Sequence, residues 1–174
     1  MVVHRVTQER FAKDLSGEGA RFHKGRWNPA GVPIIYTSTS VALAAIECFV
    51  NTPPGIVDCS TFVRVDISLP DEALIETVTV EELPENWHIV PAPDYLGVIG
   101  RSWAERLGSL LLSVPSAALA GHENNILINP KHIQMRDVTI LKVQPFTYNQ
   151  RLKSIPVKNR FDYSTNKQCP LSIS

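Results

Sequence analysis

The spacing of apolar and polar positions changes several times along the chain, and each change predicts an element. VVHRV near the start and VPIIYTS (32–38) are short runs rich in β-branched residues, the second opened by Pro33, and both predict strands. Ser40 then stands where a helix cap is needed, ahead of the almost wholly apolar VALAAIECFV (41–50). That run predicts a helix, stopped by the NTPPG that follows. TFVRVDISL (61–69) alternates, with Thr61, Val63, Val65, Ile67 and Leu69 on one face and Phe62, Arg64, Asp66 and Ser68 on the other. A period of two with one apolar face predicts a half-covered strand of an antiparallel or mixed sheet. Further on, SWAERLG (102–108) predicts a short helix with Trp103 and Leu107 one turn apart, LLLSVPS (110–116) a buried strand ending at Pro115, and VTILKVQPF (138–146) a late strand.

Thirteen prolines and nine glycines cut the chain into short pieces, with no repeat at a fixed period and no low-complexity stretch. The elements do not alternate as βαβ units, so the pattern predicts a single α+β domain with a central mixed or antiparallel sheet and short helices. Its 174 residues, 44% hydrophobic and 20% charged, suffice for one packed core. No apolar run reaches the length of a membrane span, and the first residues lack the basic-then-apolar order of a signal peptide, so a cytoplasmic protein without membrane contact is expected.

Charge adds one feature. The net charge is zero, yet residues 1–30 hold six Lys/Arg against three Asp/Glu, residues 31–150 six against thirteen, and the last 24 five against one. A basic segment on a neutral protein fits a small anionic ligand or a solvated loop, and it lacks the broad positive face of a nucleic-acid binder. Cys48, Cys59 and Cys169 are too far apart for a zinc ribbon or a redox pair and are expected to be free thiols. The histidines, His4, His23, His88, His122 and His132, show no spacing that would gather metal ligands on a helix, so no metal is predicted.

Glu47 is the one polar side chain besides Cys48 in the 41–50 run, and it shares a stripe with Leu43 and Val50. Every neighbouring face is apolar, so turning the helix relieves the carboxylate little, and burying it unpaired would be costly. By itself this allows three readings: a helix end reaching solvent, a structural ion pair with an arginine, or the lining of a cleft.

Its surroundings match a family. GRWN (25–28) precedes the strand that ends in Tyr36 and Thr37; Tyr36 lies ten positions after Arg26, and Glu47 eleven after that. VPSAAL (114–119) and NNILINPKH (124–132) follow in the same order. The chain resembles the RES-domain family, named for its Arg, Glu and Ser, with Arg26, Glu47 and Ser116 at the matching positions. The likeness runs from the first strand through QPFTYNQRL (144–152), which implies a RES domain over 1–152 and a C-terminal extension over 153–174, expected to be disordered and without chemistry. The sequence departs from the family at Lys24, where a glycine is usual, and at Asn149 and Gln150, where an aspartate usually precedes the Arg-Leu.

The resemblance implies an ADP-ribosyltransferase-like fold and a toxin of a type II toxin-antitoxin system, paired with a helix-turn-helix (Xre-type) antitoxin. It implies an enzyme that degrades NAD+ by cleaving the nicotinamide–ribose bond, as a glycohydrolase or a phosphorylase, with NAD+ consumed as substrate and no cofactor. A protein ADP-ribosyltransferase is the alternative, and a catalytically inactive antitoxin-binding module the second. Bond cleavage builds positive charge on the ribose, which a fixed carboxylate at Glu47 would offset. Arg26 offers a rigid fork to phosphate oxygens, and Arg21 is a second phosphate candidate. Tyr36 could present its ring to nicotinamide or ribose, or belong to the sheet surface. Ser116 suits a ribose or pyrophosphate contact, or a turn. Asn125 and Asn129 complete the expected substrate-binding set, with turn formation beside Pro130 as the plainer use.

Overall fold

The computed structural model describes residues 1–53, 56–57 and 60–153. Part of NTPPG, Cys59, Cys169 and nearly all of the 153–174 extension lie outside them. Seven strands form one sheet: β1 (Val2–Gln8), β2 (Ile35–Ser38), β3 (Phe62–Ser68), β4 (Ile75–Thr77), β5 (Leu111–Pro115), β6 (Asn124–Ile128) and β7 (Thr139–Phe146). Their order is β4-β5-β6-β2-β1-β3-β7, and every pair is antiparallel except β4 with β5. This is the α+β single domain with a mixed sheet that the periodicity predicts.

Helices α1 (Glu18–Phe22), α2 (Val41–Asn51), α3 (Asp94–Arg106) and α4 (Gln150–Lys153) flank the sheet. Ser40 caps α2 as expected, its Oγ accepting the Leu43 amide at 3.1 Å. Because side chains alternate along strands, Leu111 and Leu112 enter different cores. One face carries Val3, Ile35, Val65, Ile67, Leu111 and Ile128; the other carries Leu112, Val114 and Leu127 against Trp27, Trp87 and Trp103. A smaller cluster joins Val6, Phe62 and Tyr148 to Ala44 of α2.

Three expectations need correction. β2 begins at Ile35 because Val32, Pro33 and Ile34, though buried, are unpaired, and Pro33 has no amide to offer a ladder. The second face of β3 is partly covered too: Phe62 lies under Tyr148, and Asp66 is buried with His4 and Arg64 on it. The helix expected over 102–108 runs from Asp94 to Arg106, and Leu107 leaves it in the left-handed region at φ 54°. Its first half was hidden by Gly97 and Gly100, which weaken helix propensity but let another segment close in. A Cβ on Gly100 would lie 1.8 Å from the Trp27 carbonyl oxygen, so the backbone of the GRWN segment rests directly on α3. No described helix is long and apolar enough to cross a membrane.

Candidate active site

The turn from β2 into α2 places Glu47 over the ends of β5 and β6. Its Oε1 accepts from Ser116 Oγ at 2.7 Å and from Asn125 Nδ2 at 2.6 Å, contacts that span 69 and 78 residues of sequence. Ser116 is fully buried and Asn125 nearly so. The Asn125 amide is fixed in turn, its Oδ1 accepting from the buried Ser38 Oγ at 2.7 Å. Ser116 is held by the turn after β5, where its amide donates to Glu123 and its carbonyl accepts from Gly121, whose φ of 83° suits glycine.

The two oxygens of Glu47 therefore differ. Oε1 is saturated by two strong donors, whereas among the described residues Oε2 receives only the Asn51 amide, at 3.3 Å, from a residue that also donates to the Glu47 carbonyl at 2.9 Å. Among the described residues the carboxylate is neither buried unpaired nor tied to an arginine: it is partly exposed, oriented through one oxygen and open at the other.

Arg26 and Tyr36 stand beside it, built on a stapled loop. Asn28 is fully buried and donates to the carbonyls of Ala20, His23 and Pro29, which draws residues 20–29 into a tight bend. The Tyr36 hydroxyl accepts from the Trp27 amide at 3.1 Å and donates to Asn28 Oδ1 at 2.7 Å. A Cβ on Gly25 would fall 2.5 Å from Asn28 Oδ1 and 2.7 Å from that hydroxyl, so only glycine fits ahead of Arg26. Burial pushes the Tyr36 phenol well above its ordinary range, against the opposing pull of the Trp27 amide and the Arg26 charge, and Tyr36 stays neutral.

The Arg26 guanidinium donates from Nη1 to the Trp87 carbonyl at 2.6 Å and from Nη2 to the carbonyls of Ile89 at 3.2 Å and His88 at 3.5 Å. Burial lowers its pKa, while the charge of Glu47 acts to raise it. The arginine and the carboxylate thus belong to one electrostatic unit.

Glu47, Ser116 and Asn125 are in contact, with Arg26 and Tyr36 alongside. Arg21 and Asn129 are elsewhere engaged. Arg21 is exposed, paired with Glu18 at 2.7 Å and stacked on Phe22. Asn129 is fully buried, its amide donating to the Ala104 carbonyl at 2.9 Å and its Oδ1 accepting from the Lys131 amide at 3.0 Å, so it ties the end of β6 to α3. Sequence reading left out Asn28, Ser38 and Asn51. Asn28 stands within GRWN, and Ser38 shares a strand face with Tyr36, so alternation could have found it.

A sequence model of the RES domain matches residues 2–149. The "Prs ADP-ribosylating toxin" of Sphingobium sp. (strain YBL2) is 38% identical over 143 residues, 81% of this chain and 88% of that protein. "Toxin Res" of Yersinia enterocolitica is 36% identical over 159 residues, 88% of this chain and 100% of that protein. Among solved structures, the M. tuberculosis MbcT–MbcA toxin-antitoxin complex contains a chain of the same fold, with a TM-score of 0.66 at 21% identity over 84% of both chains. By the extent of these matches the chain belongs to the RES-domain family, among relatives that are named toxins.

Proposed function

We propose that this protein is a cytoplasmic toxin that degrades NAD+ by breaking the bond between nicotinamide and ribose. The observation that carries the reading is the Glu47 carboxylate, anchored through Oε1 by Ser116 and Asn125 and open at Oε2, within the field of Arg26. As the C1′–N bond breaks, its electron pair leaves with nicotinamide and positive charge develops on the ribose. A carboxylate already fixed in place offsets that charge without reorganising. Glu47 Oε2 then accepts from a ribose hydroxyl, Arg26 meets phosphate oxygens, and the Tyr36 ring lines the site. Water or inorganic phosphate completes the reaction by forming the new bond to C1′, with loss of a proton.

A second reading, transfer of ADP-ribose to a protein side chain, is favoured by the name of the Sphingobium relative, an ADP-ribosylating toxin. Both reactions break the same bond, and they separate in one experiment. Purified protein given NAD+ alone, with and without phosphate, should release nicotinamide and yield ADP-ribose or its 1″-phosphate. Release that requires an added protein acceptor would replace the first reading with the second. An inactive binding module would release none, although Arg26 and Glu47 are both in place.

Such an enzyme drains its host unless restrained, so we assign it a helix-turn-helix, Xre-type antitoxin covering the cleft between GRWN and Glu47. The MbcT–MbcA neighbour is itself a toxin-antitoxin complex. NAD+ turnover at the free-enzyme rate within the complex would count against this placement.

A further inference from the structure

The segment between Trp87 and α3 is held by few contacts, of which the Arg26 fork makes the most. Its two ends are anchored: Trp87 is buried, with its ring 3.3 Å from where a Gly121 Cβ would lie, and Leu96 is fully buried in α3. Between them Ile89 and Val90 are 44% and 78% exposed, so burial contributes little to fixing the backbone there. What fastens it is the Arg26 fork on the carbonyls of Trp87, His88 and Ile89, the Ile89 amide on the Asn86 carbonyl at 3.3 Å, and the exposed Lys24–Asp94 ion pair at the far end. The arginine best suited to a phosphate is thus engaged by neutral backbone carbonyls. A phosphate carries full charge and presents two oxygens in the plane of the fork, which makes it the stronger partner.

A second observation lies where the segment enters the helix. The Tyr95 hydroxyl is buried and has no hydrogen-bond partner among the described residues. Its ring packs with the cluster that holds Trp27 and Trp87, on the two segments joined by Arg26. A hydroxyl buried without a partner is destabilising, and such groups are rare enough to need a cause.

We infer that residues 88–93 form a strap which Arg26 holds in the free protein and exchanges for the phosphate oxygens of an ADP-ribose-containing substrate, and that the Tyr95 hydroxyl then binds the same substrate. This rests on the reading of NAD+ as substrate. When the fork turns to phosphate, the released carbonyls of Trp87, His88 and Ile89 pass to water, while the buried Trp87 ring and Leu96 keep the ends in place. The strap opens beside Arg26, and Tyr95 gains an acceptor from the ligand. The protein bears the unmet hydroxyl only until substrate arrives.

Tyr95→Phe tests this, because it removes the hydroxyl and keeps the ring. The inference expects a melting temperature equal to or above that of the wild type, since an unpartnered group is lost. It also expects a KM for NAD+ raised roughly tenfold or more, the scale of one hydrogen bond to a charged ligand. In Glu47→Gln protein, which should hold NAD+ without consuming it, amide hydrogen exchange at residues 88–90 should quicken when NAD+ saturates the site. An unchanged KM, a lowered melting temperature in Tyr95→Phe, or exchange that NAD+ leaves unaltered or slows would each overturn it. Wild-type protein assayed alongside separates the two levels: if it releases no nicotinamide, the substrate reading falls and takes the strap with it. If it turns over and Tyr95→Phe matches it, the strap alone falls.

Discussion

Replacing Glu47 with glutamine separates a carboxylate that acts on substrate from one that merely packs. The geometry sets the cost to folding. Glutamine keeps an Oε1 that can accept from Ser116 and Asn125, now at 2.7 and 2.6 Å from the carboxylate oxygen. Asn51 faces a new amide nitrogen in place of Oε2 but retains the carbonyl at 2.9 Å. Each of the two strong bonds changes from charge-assisted to neutral, a loss of about 1 kcal/mol apiece, and relief of the carboxylate's desolvation offsets part of it. The upper bound of about 2 kcal/mol lowers the melting temperature by less than roughly 8 °C. Turnover should fall much further, by roughly a hundredfold or more, equivalent to about 2.7 kcal/mol in the transition state, because the developing ribose charge loses its counterpart. NAD+ binding should change little, since on the proposed reading phosphate and ring contacts hold the ground state. Thermal melting and nicotinamide release on one preparation decide the matter. Full activity per folded molecule in a destabilised protein would refute the reasoning and make Glu47 a structural residue.

Arg26→Lys keeps the charge but cannot reproduce a fork that meets three carbonyls or two phosphate oxygens; turnover should drop roughly tenfold or more with folding intact, and wild-type kinetics would remove the bidentate role. Asn129→Ala leaves the Ala104 carbonyl and the Lys131 amide unmet, so stability should fall by about 1–3 kcal/mol in a denaturant titration while turnover per folded molecule is kept; the reverse outcome would return Asn129 to the substrate site. Burial raises the Asp66 pKa, but hydrogen bonds from Arg64 and His4 outweigh it and leave the carboxyl below its ordinary value. Its contribution to stability is therefore present above the unfolded value, near 4, and lost as pH falls through the folded one, so Asp66→Asn should flatten the acid limb of a stability–pH curve below about pH 4.

Glu47 itself was legible, because a lone carboxylate on an apolar helix must find partners, and the Ser40 cap and the NTPPG stop defined that helix without reference to anything distant. What satisfied the carboxylate was not legible from local pattern. Ser116 and Asn125 lie 69 and 78 residues away, and no periodicity links a serine in a turn to a helix so far upstream. Only the family resemblance brought them forward, and it brought Asn129 with them. Asn125 faces α2 from within β6, whereas Asn129 follows the strand's last residue, where its amide turns to α3. The early half of α3 was missed for a related reason: Gly97 and Gly100 read as breaks, and their purpose is apparent only once the Trp27 backbone is seen against them. β6 was passed over because its asparagines and the following Pro130 resemble a turn more than the centre of a sheet.

That central place of β6 governs when the candidate site can assemble during synthesis. In the order β4-β5-β6-β2-β1-β3-β7, β6 alone joins the pair β4-β5 to the remaining strands, yet it is sixth to leave the ribosome. A nascent chain that has not reached residue 124 can pair β1 with β2 and β3, and β4 with β5, but the two pieces share no ladder. Glu47 by then waits up to 78 residues of elongation for Asn125, and Ser116 has no β6 to hold it in register. The non-local pairing that makes such a sheet slow to form also means that the Glu47–Ser116–Asn125 cluster can assemble only in chains synthesised past Asn125.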